Sequence, residues 1–276
     1  MPSETQTAVG SIVSLWRYPV KSMMGEELNA VPVTQRGLLG DRAYALVDSA
    51  EGKVASAKNP RKWPGLFDFR AAYVEPPRAD GTIPPVRITL PDGTIVTSQD
   101  EDVDQIVSAT LGRQVALRAA PPAKPNLEEY WPDIEGLDHR DTVTDEAMPA
   151  GTFFDAAAIH LLTTSTLDAL RSAYREGRFE VRRFRPNIVL RPSSPEADFT
   201  EDAWMGRTLR LGQEVRISIT GPCPRCVMTT LAQGDLPSDP GILRTAAKQH
   251  HAHVGVYAKV LAGGVVKRGD TASLED

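Results

Sequence analysis

The amino-acid sequence predicts a mixed α+β fold in which strands outnumber helices. Apolar stretches of strand length recur along the 276-residue chain, and turn signals separate them. Apolar residues with helical spacing occupy only a few short segments. Because these helical segments do not alternate regularly with the strands, their order argues against a doubly wound parallel sheet.

Each predicted element follows from a local pattern of apolar residues and turn residues. Pro91-Asp92-Gly93 between two apolar stretches indicates a hairpin, and Asp239-Pro240 indicates the start of a helix. Gly263-Gly264 predicts a hairpin that joins the last two strands. The predicted strands are, in order, 12–15, 43–48, 86–90, 94–97, 159–162, 187–190, 208–211, 215–219, 227–231, 254–261 and 265–266. The predicted helices are 98–112 with Ser98 as its cap, 164–177 with Thr164 or Ser165 as its cap, and 239–249.

The segment between the two halves of the chain, residues 121–152, has a different composition. Prolines such as Pro121 and Pro132 interrupt regular structure there, and most of its charged residues are acidic. The segment is therefore predicted to be a long acidic surface loop or linker without a function of its own. It separates two predicted domains, residues 8–120 and residues 153–274.

The composition limits the classes of function. The net charge is -5, from 31 basic and 36 acidic residues, and this balance does not favour nucleic-acid binding. No apolar stretch approaches the roughly 18 residues that cross a membrane, and residues 1–7 lack the basic and apolar parts of a signal peptide. We therefore expect a cytoplasmic protein without a membrane or nucleic-acid partner, in which cysteines stay reduced.

The segment 221–226, Gly-Pro-Cys-Pro-Arg-Cys, contains the only two cysteines of the chain. Thiolates are nucleophiles and soft metal ligands, and Arg225 beside the second thiol favours its ionised form. A packed pair of structural thiols is one alternative. A zinc site with His250, His251 and His253 is another, although their spacing misses the usual zinc pattern and they are expected to face water at a helix end. Two cysteines are too few for an iron–sulfur cluster.

Basic residues beside predicted strands indicate a site for an anion. Arg183 and Arg185 lead directly into an apolar strand, where charges are otherwise few. A guanidinium group presents a planar set of donors that suits phosphate or another oxyanion. Lys21, Ser22 and Arg42, at strand or turn edges, supply further donors. The sequence contains no dinucleotide, phosphate-loop or hydrolase-elbow motif, so those three classes have no support.

Several motifs stand in a specific order along almost the whole chain. They are Trp16-Arg17-Tyr18-Pro19-Val20-Lys21-Ser22, Gly37-Leu38-Leu39-Gly40-Asp41-Arg42, Arg183-Phe184-Arg185-Pro186-Asn187-Ile188-Val189, Cys223-Pro224-Arg225-Cys226 with Thr229-Thr230, Gly255-Val256-Tyr257-Ala258 and Gly269-Asp270. Together they resemble the MOSC family, named after the C-terminal domain of molybdenum cofactor sulfurase, and in particular its amidoxime-reducing members. The resemblance implies an N-terminal β-barrel-like MOSC domain packed on a β-barrel MOSC domain with peripheral helices.

The resemblance also implies a molybdenum cofactor, in which the metal is bound to a pterin (molybdopterin). In the amidoxime-reducing members a thiolate that matches Cys226 binds the metal, so Cys226 is expected to be the metal ligand and the catalytic residue. The implied cofactor contacts are Lys21, Ser22, Arg42, Arg185 and Asn187, with Thr164, Ser165 and Arg225 as further candidates.

The implied function is a molybdenum-dependent oxidoreductase that reduces small N-hydroxylated compounds. Some bacterial relatives have a C-terminal ferredoxin-like domain, for which this chain lacks the cysteines. Electrons are therefore expected from a separate protein, a ferredoxin or a flavoprotein reductase. The alternative is a protein that carries the molybdenum cofactor, or persulfide sulfur on Cys226, without turnover of its own.

Overall fold

The computed structural model describes residues 7–194 and 198–275. Within these residues the chain forms eighteen strands, four α-helices and three short 3₁₀ turns. The strands are β1 (Thr7–Arg17), β2 (Glu26–Leu28), β3 (Ala30–Thr34), β4 (Gly37–Leu38), β5 (Ala45–Asp48), β6 (Arg70–Tyr73), β7 (Val86–Thr89), β8 (Ile95–Thr97), β9 (Val115–Arg118), β10 (Asn126–Trp131), β11 (Thr142–Ala147), β12 (Ile159–Thr163), β13 (Ile188–Pro192), β14 (Thr208–Leu211), β15 (Val215–Pro224), β16 (His253–Ala262), β17 (Gly264–Lys267) and β18 (Thr271–Glu275). The helices are α1 (Val103–Leu111), α2 (Thr164–Ala173), α3 (Val181–Phe184) and α4 (Gly241–His250), and the 3₁₀ turns are Leu66–Asp68, Thr200–Trp204 and Val227–Thr230.

Seven strands form a closed barrel. They follow one another in the order β13–β12–β16–β15–β14–β18–β1, and β1 pairs with β13 to complete the ring. Neighbouring strands are antiparallel except for β12 and β13, which are parallel. Alternate residues point inward, so that apolar side chains such as Leu15, Ile217 and Val256 fill the centre. The first strand of the chain is thus an integral part of a barrel whose other strands all come from the second half.

A second apolar core lies in the first half of the chain. The sheet β6–β7–β8, the pair β5–β9 and helix α1 contribute buried residues such as Leu46, Ile88 and Val107 to it. Cys226 and Met228, from the second half of the chain, pack into this same core. The cysteine loop, residues 221–226, therefore lies where the barrel meets the second core. The predicted strand-dominated α+β class, with barrels and peripheral helices, is confirmed.

The acidic segment after residue 120 contains more regular structure than its sequence predicts. Strands β10 and β11 pair along their whole length in an antiparallel ribbon. Pro125 and Pro132 flank β10 instead of interrupting it, and Leu127 and Glu129 on its inner face are buried. The prediction of a plain loop was wrong here because prolines at strand ends are compatible with an isolated two-stranded ribbon.

Two predicted strand features of the second half also differ from the structure. The segment after Cys226 is a 3₁₀ turn, because the Thr229 hydroxyl donates to the Cys226 carbonyl oxygen at 3.0 Å and the Thr230 hydroxyl donates to the Val227 carbonyl oxygen at 2.8 Å. The predicted last hairpin is also absent from the described residues, since β17 pairs with β3 and not with β16. This pairing buries Val266 in the barrel core.

The predicted helices are present, with shifted starts. Helix α1 begins later than a Ser98 cap requires, and a left-handed Gly112 ends it as predicted. Helix α2 is capped by Thr163, whose hydroxyl accepts a backbone N–H of the first turn, and not by Thr164 or Ser165. None of the helices in the part of the chain that the structure describes has the length and apolarity needed to span a bilayer.

Candidate functional site

A pocket lies beside the cysteine loop, and we call it the inner pocket. Side chains from both halves of the chain meet there. The lining residues are Lys21, Ser22, Arg42, Lys58, Asp155, Ala156, Ala157, His160, Phe184, Arg185, Asn187, Pro224, Arg225, Cys226, Met228 and Tyr257.

The inner pocket brings together most of the site residues that the sequence predicts. Those that line it are Lys21, Ser22, Arg42, Arg185, Asn187, Arg225 and Cys226. Thr164 and Ser165 do not line it. They begin helix α2, where the Ser165 hydroxyl oxygen lies 2.8 Å from that of Thr163 and 2.9 Å from that of Thr200.

Three of the cations in the inner pocket are paired with carboxylates. The ion pairs are Lys21–Asp155, Arg42–Asp41 and Lys58–Glu129. Burial opposes ionisation of Asp155, but Lys21 and Lys58 hold the pKa of this carboxyl well below its usual range. These pairs keep three cations fixed at the pocket wall, and two further cations, Arg185 and Arg225, remain.

Arg185 and Arg225 have no carboxylate partner among the residues that the structure describes. Nη2 of Arg185 and Nε of Arg225 are both buried without a hydrogen-bond partner. A buried unsatisfied donor is costly, and in native proteins it commonly marks the position of a ligand, an ion or a water molecule. Because both donors belong to cations, the ligand that they fit is an anion.

Arg185 is held rigidly in place. Its Nη1 donates to the Met23 carbonyl oxygen at 2.8 Å, and its guanidinium carbon lies 4.1 Å from the centre of the Tyr18 ring. Burial, reinforced by the neighbouring Arg42, lowers the pKa of Arg185 to about 10. Arg185 is therefore still a cation at neutral pH.

Backbone strain is concentrated around the inner pocket. Six residues other than glycine have positive φ among those described, and three of them line the pocket: Ser22 at 62°, Arg42 at 49° and Arg185 at 52°. This left-handed conformation costs free energy in residues with a Cβ, and it tends to persist at functional sites, where surrounding contacts impose it. The strain supports the assignment of this pocket as the functional site.

Asn187 and Ser22 are already engaged within the protein. Nδ2 of Asn187 donates to Oδ2 of Asp41 at 2.9 Å, and its Oδ1 accepts the backbone N–H of His160 at 3.1 Å. The Ser22 hydroxyl accepts a backbone N–H at 3.1 Å. Asn187 thus fixes the carboxylate that pairs with Arg42.

Arg183 does not face an anion, contrary to the sequence-based expectation. The side chain is fully buried, and it donates to four backbone carbonyl oxygens. The acceptors are Arg178 at 2.9 Å, Thr229 and Leu231 at 3.1 Å each, and Pro237 at 2.7 Å. Its donors hold the segment that follows the cysteine loop, because a guanidinium is as suited to several carbonyls as to one oxyanion.

The two thiols have different surroundings. Cys226 lines the inner pocket, whereas the fully buried Cys223 does not. Nη1 of Arg225 donates to Sγ of Cys223 at 2.8 Å, so the expected effect of this arginine falls on the first thiol of the pair. Burial, reinforced by Glu129, raises the pKa of Cys226 to about 12. In the protein without a ligand, Cys226 is therefore a neutral thiol.

Cys223 has the opposite tendency. Burial opposes its ionisation, but Arg225, followed by His160 and Tyr257, more than offsets this effect and lowers the pKa of Cys223 to about 6. The buried thiol is therefore mostly a thiolate at neutral pH. A thiolate at Cys223 balances the positive charge of Arg225, for which the described residues supply no carboxylate partner.

Sequence reasoning missed four polar residues that line the inner pocket, namely Lys58, Asp155, His160 and Tyr257. His160 interrupts an apolar strand, and this signal could have identified it. Its ring approaches β16 so closely that a Cβ on Gly255 would lie 2.4 Å from its Nε2. Lys58 and Asp155 lie in irregular segments without any local pattern.

A second cavity, which we call the outer cleft, adjoins the inner pocket. It is the larger of the two cavities, and six residues line both. The β10–β11 ribbon forms one wall, with Trp131, and residues 251–253 form another. The charged residues that line it are Lys58, Arg225, Glu129, Asp138, Glu146 and Asp155. Carboxylates therefore outnumber cations here, which reverses the balance in the inner pocket.

The histidines do not form a zinc site with the cysteines. No group of three or more His, Cys, Asp or Glu side chains that could hold a metal ion occurs within residues 7–194 and 198–275. His250 stacks on Phe199 with ring centres 4.0 Å apart, and its Nε2 lies 2.6 Å from Oδ2 of Asp202. His250 is therefore packed against its neighbours and does not simply face water.

Comparison with known proteins gives two family matches. Residues 9–118 match the family model of the MOSC N-terminal beta barrel domain, and residues 149–273 match that of the MOSC domain. The chain is similar to molybdenum cofactor sulfurase from Oryza sativa subsp. japonica, with 28% identity over 260 residues that cover 84% of this chain and 30% of that protein.

Two mammalian proteins are similar over much of their length. Mitochondrial amidoxime-reducing component 1 from Mus musculus is 26% identical over 241 residues, which cover 81% of this chain and 66% of that protein. Mitochondrial amidoxime reducing component 2 from Rattus norvegicus is 25% identical over 235 residues, which cover 81% of this chain and 67% of that protein. The chain thus spans about two thirds of the length of these two relatives and less than a third of the rice protein.

Proposed function

Because the chain belongs to the MOSC domain family, we propose that it binds a molybdenum cofactor in the inner pocket and acts as an oxidoreductase. The proposed reaction is the reduction of small N-hydroxylated compounds with electrons from a separate donor protein. One observation carries the proposal: a pocket thiol, Cys226, shares the inner pocket with the unpartnered guanidinium nitrogens of Arg185 and Arg225. A thiolate is a soft ligand that suits such a metal, and arginine donors suit the phosphate of the pterin.

The residues of the inner pocket fit the parts of such a cofactor. Cys226 would bind the metal through sulfur, which requires the loss of its proton. Arg185 and Arg225 would donate to the phosphate or the pterin, while Lys21 and Arg42, each paired with a carboxylate, lie beside them in the pocket wall. When bound, the cofactor supplies the two-electron chemistry, and the protein supplies binding, orientation and charge.

The reaction consumes two electrons and two protons for each N–OH group, and it releases the N–H compound and one water molecule. The outer cleft, which shares Arg225 and Tyr257 with the inner pocket, provides space for a substrate beside the cofactor. Two cysteines cannot form a four-cysteine cluster, and the sequence has no nicotinamide-binding fingerprint. Both facts support a separate protein, a ferredoxin or a flavoprotein reductase, as the source of electrons.

The relatives support two candidate functions. Two of them are amidoxime-reducing components by name, which supports the reductase. The rice relative is a molybdenum cofactor sulfurase by name, which supports a second candidate. In that case the chain would carry the cofactor, or persulfide sulfur on Cys226, without turnover of its own.

The test is to purify the chain from a host that makes molybdenum cofactor and to measure its molybdenum and pterin content. We expect close to one of each per chain. The purified protein is then assayed for the conversion of benzamidoxime to benzamidine with chemically reduced viologen. We expect turnover with viologen, no turnover with NADH or NADPH alone, and restored turnover when a ferredoxin or flavoprotein reductase is added.

Each result distinguishes between the candidates. Full molybdenum occupancy without turnover under any reductant would favour the carrier. Absence of both metal and pterin would contradict the reductase and the cofactor carrier, and only a carrier of persulfide sulfur on Cys226 would remain. Robust turnover with NADH alone would contradict the need for a separate electron donor.

A further inference from the structure

The proposed function assigns no role to Cys223, although this thiol is the most deeply buried part of the cysteine loop. It is fully buried and does not line the inner pocket, so it does not meet a ligand there directly. Its side chain does contact Arg225, whose Nη1 lies 2.8 Å from Sγ. Cys223 can therefore influence the pocket through this arginine.

The guanidinium of Arg225 is held at both of its ends. Nη1 donates to the sulfur of Cys223, and Nη2 donates to the Phe184 carbonyl oxygen at 2.9 Å. The remaining donor, Nε, is buried and has no partner within the protein. Two fixed ends allow only one orientation of a planar guanidinium, so the position of the free Nε–H is determined by its two partners.

We propose that Cys223 is a positioning residue, whose sulfur accepts a hydrogen bond from Arg225 and thereby orients it so that its Nε–H is available to the anionic part of the ligand. This inference rests on the proposed function only in assuming that the inner pocket binds an anionic ligand. It does not require that the protein catalyses a reaction. The ligand chemistry is that of a phosphate group.

The electrostatic surroundings of Cys223 agree with this role. Without Cys223, the partly buried Arg225 would be a cation without a negative partner, which is costly. The groups that act on the thiol are Arg225, His160 and Tyr257, from the cysteine loop itself, β12 and β16. Together they favour the thiolate, and the thiolate in turn raises the pKa of Arg225. Cys226 does not take this role, because Arg225 makes no hydrogen bond to it in the described structure.

The test compares Cys223→Ser, Cys223→Ala and Cys223→Asp with the unchanged protein. Inorganic pyrophosphate is the probe, and its affinity is measured by calorimetry on protein from a host without molybdenum cofactor. We expect the Ser and Ala variants to bind pyrophosphate about ten-fold more weakly, since one charge-assisted hydrogen bond is lost or misdirected. The Asp variant restores a negative charge, and we expect affinity within about three-fold of the unchanged protein.

A double-mutant cycle separates positioning from simple packing. If Cys223 acts through Arg225, then Cys223→Ser has no further effect on pyrophosphate affinity in an Arg225→Ala background. Additive losses in the double variant would overturn the proposal. Unchanged pyrophosphate affinity in the Ser and Ala variants would also overturn it. The same holds if the Asp variant folds but does not regain pyrophosphate affinity. An unchanged protein that binds no pyrophosphate would remove the premise of an anionic ligand.

A spectroscopic signature gives a second measurement that does not depend on the ligand. In Cys226→Ser protein the remaining thiol is followed by thiolate absorbance in the ultraviolet as pH is varied. We expect its titration near pH 6, and a shift to well above pH 7 when Arg225 is also replaced by Ala. Titration at the same pH with and without Arg225 would contradict the pairing. If the unchanged protein contains no molybdenum but Cys223 still titrates as expected beside Arg225, the result counts against the proposed function and not against this inference.

Discussion

At the scale of single residues, the two thiols of one short loop occupy opposite chemical states. Burial raises the pKa of Cys226 in the inner pocket, whereas the guanidinium of Arg225, which donates to Cys223, lowers the pKa of that buried thiol. A pocket thiol with a raised pKa releases a proton when a metal binds. Binding of the proposed cofactor through Cys226 is therefore expected to become more favourable as pH rises.

Replacement of Cys226 by serine tests its proposed role as metal ligand. We expect Cys226→Ser to keep its fold, because serine is smaller and the position is at the pocket edge, but to lose turnover and to alter the metal spectrum. Met228→Leu is the control, since Met228 lines the same pocket with a sulfur that is not ionisable. Activity and metal spectra of both variants give the measurement. Equal effects in the two variants would contradict a specific role for the thiolate.

Alkylation provides a pH test of the same residue. At neutral pH we expect slow reaction of Cys226 with iodoacetamide, because only the thiolate reacts and the pKa is about 12. At pH values well below the pKa, the thiolate fraction increases about ten-fold for each unit by which pH increases. The alkylation rate of Cys226 is therefore expected to increase in the same proportion between pH 7 and 9. Peptide mass spectrometry assigns the modified cysteine. A rate for Cys226 that is independent of pH in this range would contradict the raised pKa.

Arg185 is expected to contribute to ligand binding more than to folding. Arg185→Met loses the hydrogen bond to Met23, but it also relieves repulsion with Arg42, so the free energy of unfolding is expected to fall by about 1 kcal/mol or less. Affinity for pyrophosphate is expected to fall ten- to hundred-fold. Urea unfolding and calorimetry measure the two effects. Arg185→Lys is the control that keeps the charge without the planar donors.

At the scale of elements, the segment after the cysteine loop has little regular structure of its own. A 3₁₀ turn, Val227–Thr230, and the irregular stretch that follows it lead to α4. Arg183 donates to carbonyl oxygens on both parts of this segment, at Thr229, Leu231 and Pro237. The Arg183 side chain, on the short helix α3, thus supplies hydrogen bonds to these carbonyl oxygens that a neighbouring strand would otherwise have supplied.

Removal of this arginine is expected to destabilise the protein strongly. Arg183→Met leaves buried carbonyl oxygens without donors, and we expect a loss of at least about 3 kcal/mol in the free energy of unfolding. Arg182→Met is the matched control, because its ion pairs with Glu180 and Asp235 lie nearer the surface and contribute less than about 1 kcal/mol. Urea unfolding measures both. Similar small losses would show that Arg183 is not essential to this segment.

At the scale of the whole molecule, charge is divided between two adjoining cavities. The inner pocket has more cations than carboxylates in its lining, and the outer cleft has more carboxylates than cations. This division favours an anionic ligand, such as the proposed cofactor, in the inner pocket and a cationic ligand in the outer cleft. The division also disfavours anionic substrates, which would meet Glu146 and Asp138 in the outer cleft.

A charged substrate series tests this division. We expect benzamidoxime with a para-trimethylammonium group to have a KM about ten-fold lower than its para-carboxylate analogue, with the difference reduced at high salt. Glu146→Gln is expected to narrow the difference, because Glu146 lines the outer cleft. Glu135→Gln is the control, since Glu135 does not line it. Equal KM values for the two substrates would contradict a role for cleft charge.

The sequence predicted which residues lie together around the inner pocket better than it predicted their contacts. Cys226, Arg185 and Lys21 stand in ordered motifs, and all three line the inner pocket. The contact of Arg225 with Cys223 was not predictable, because it depends on how the loop folds and not on which residues are adjacent. Asp155 was missed because an isolated carboxylate in an irregular segment has no periodic signal.

The fold shows the same limit at longer range. Helical and strand periodicity identified α1, α2, α4 and most barrel strands, since local apolar spacing determines which face is buried. The pairing of β17 with β3 joins residues far apart in the chain, and no local turn signal encodes it. Local patterns predict which elements form, whereas burial of residues such as Val266 decides which strands pair.

The position of β1 in the barrel bears on how the chain is made. This strand leaves the ribosome before all the other described strands, yet Gly10 pairs with Pro192 on one side and with Ala272 on the other. The end of β1, from Leu15, can pair early with β2, but until β13 and β18 have been synthesised the rest of β1 has unpaired backbone edges that can associate with other nascent chains. Strands β5 to β9 are close in sequence and can pair much earlier. Chaperone binding during translation is therefore expected to concentrate on β1 and to end only when β18 has emerged.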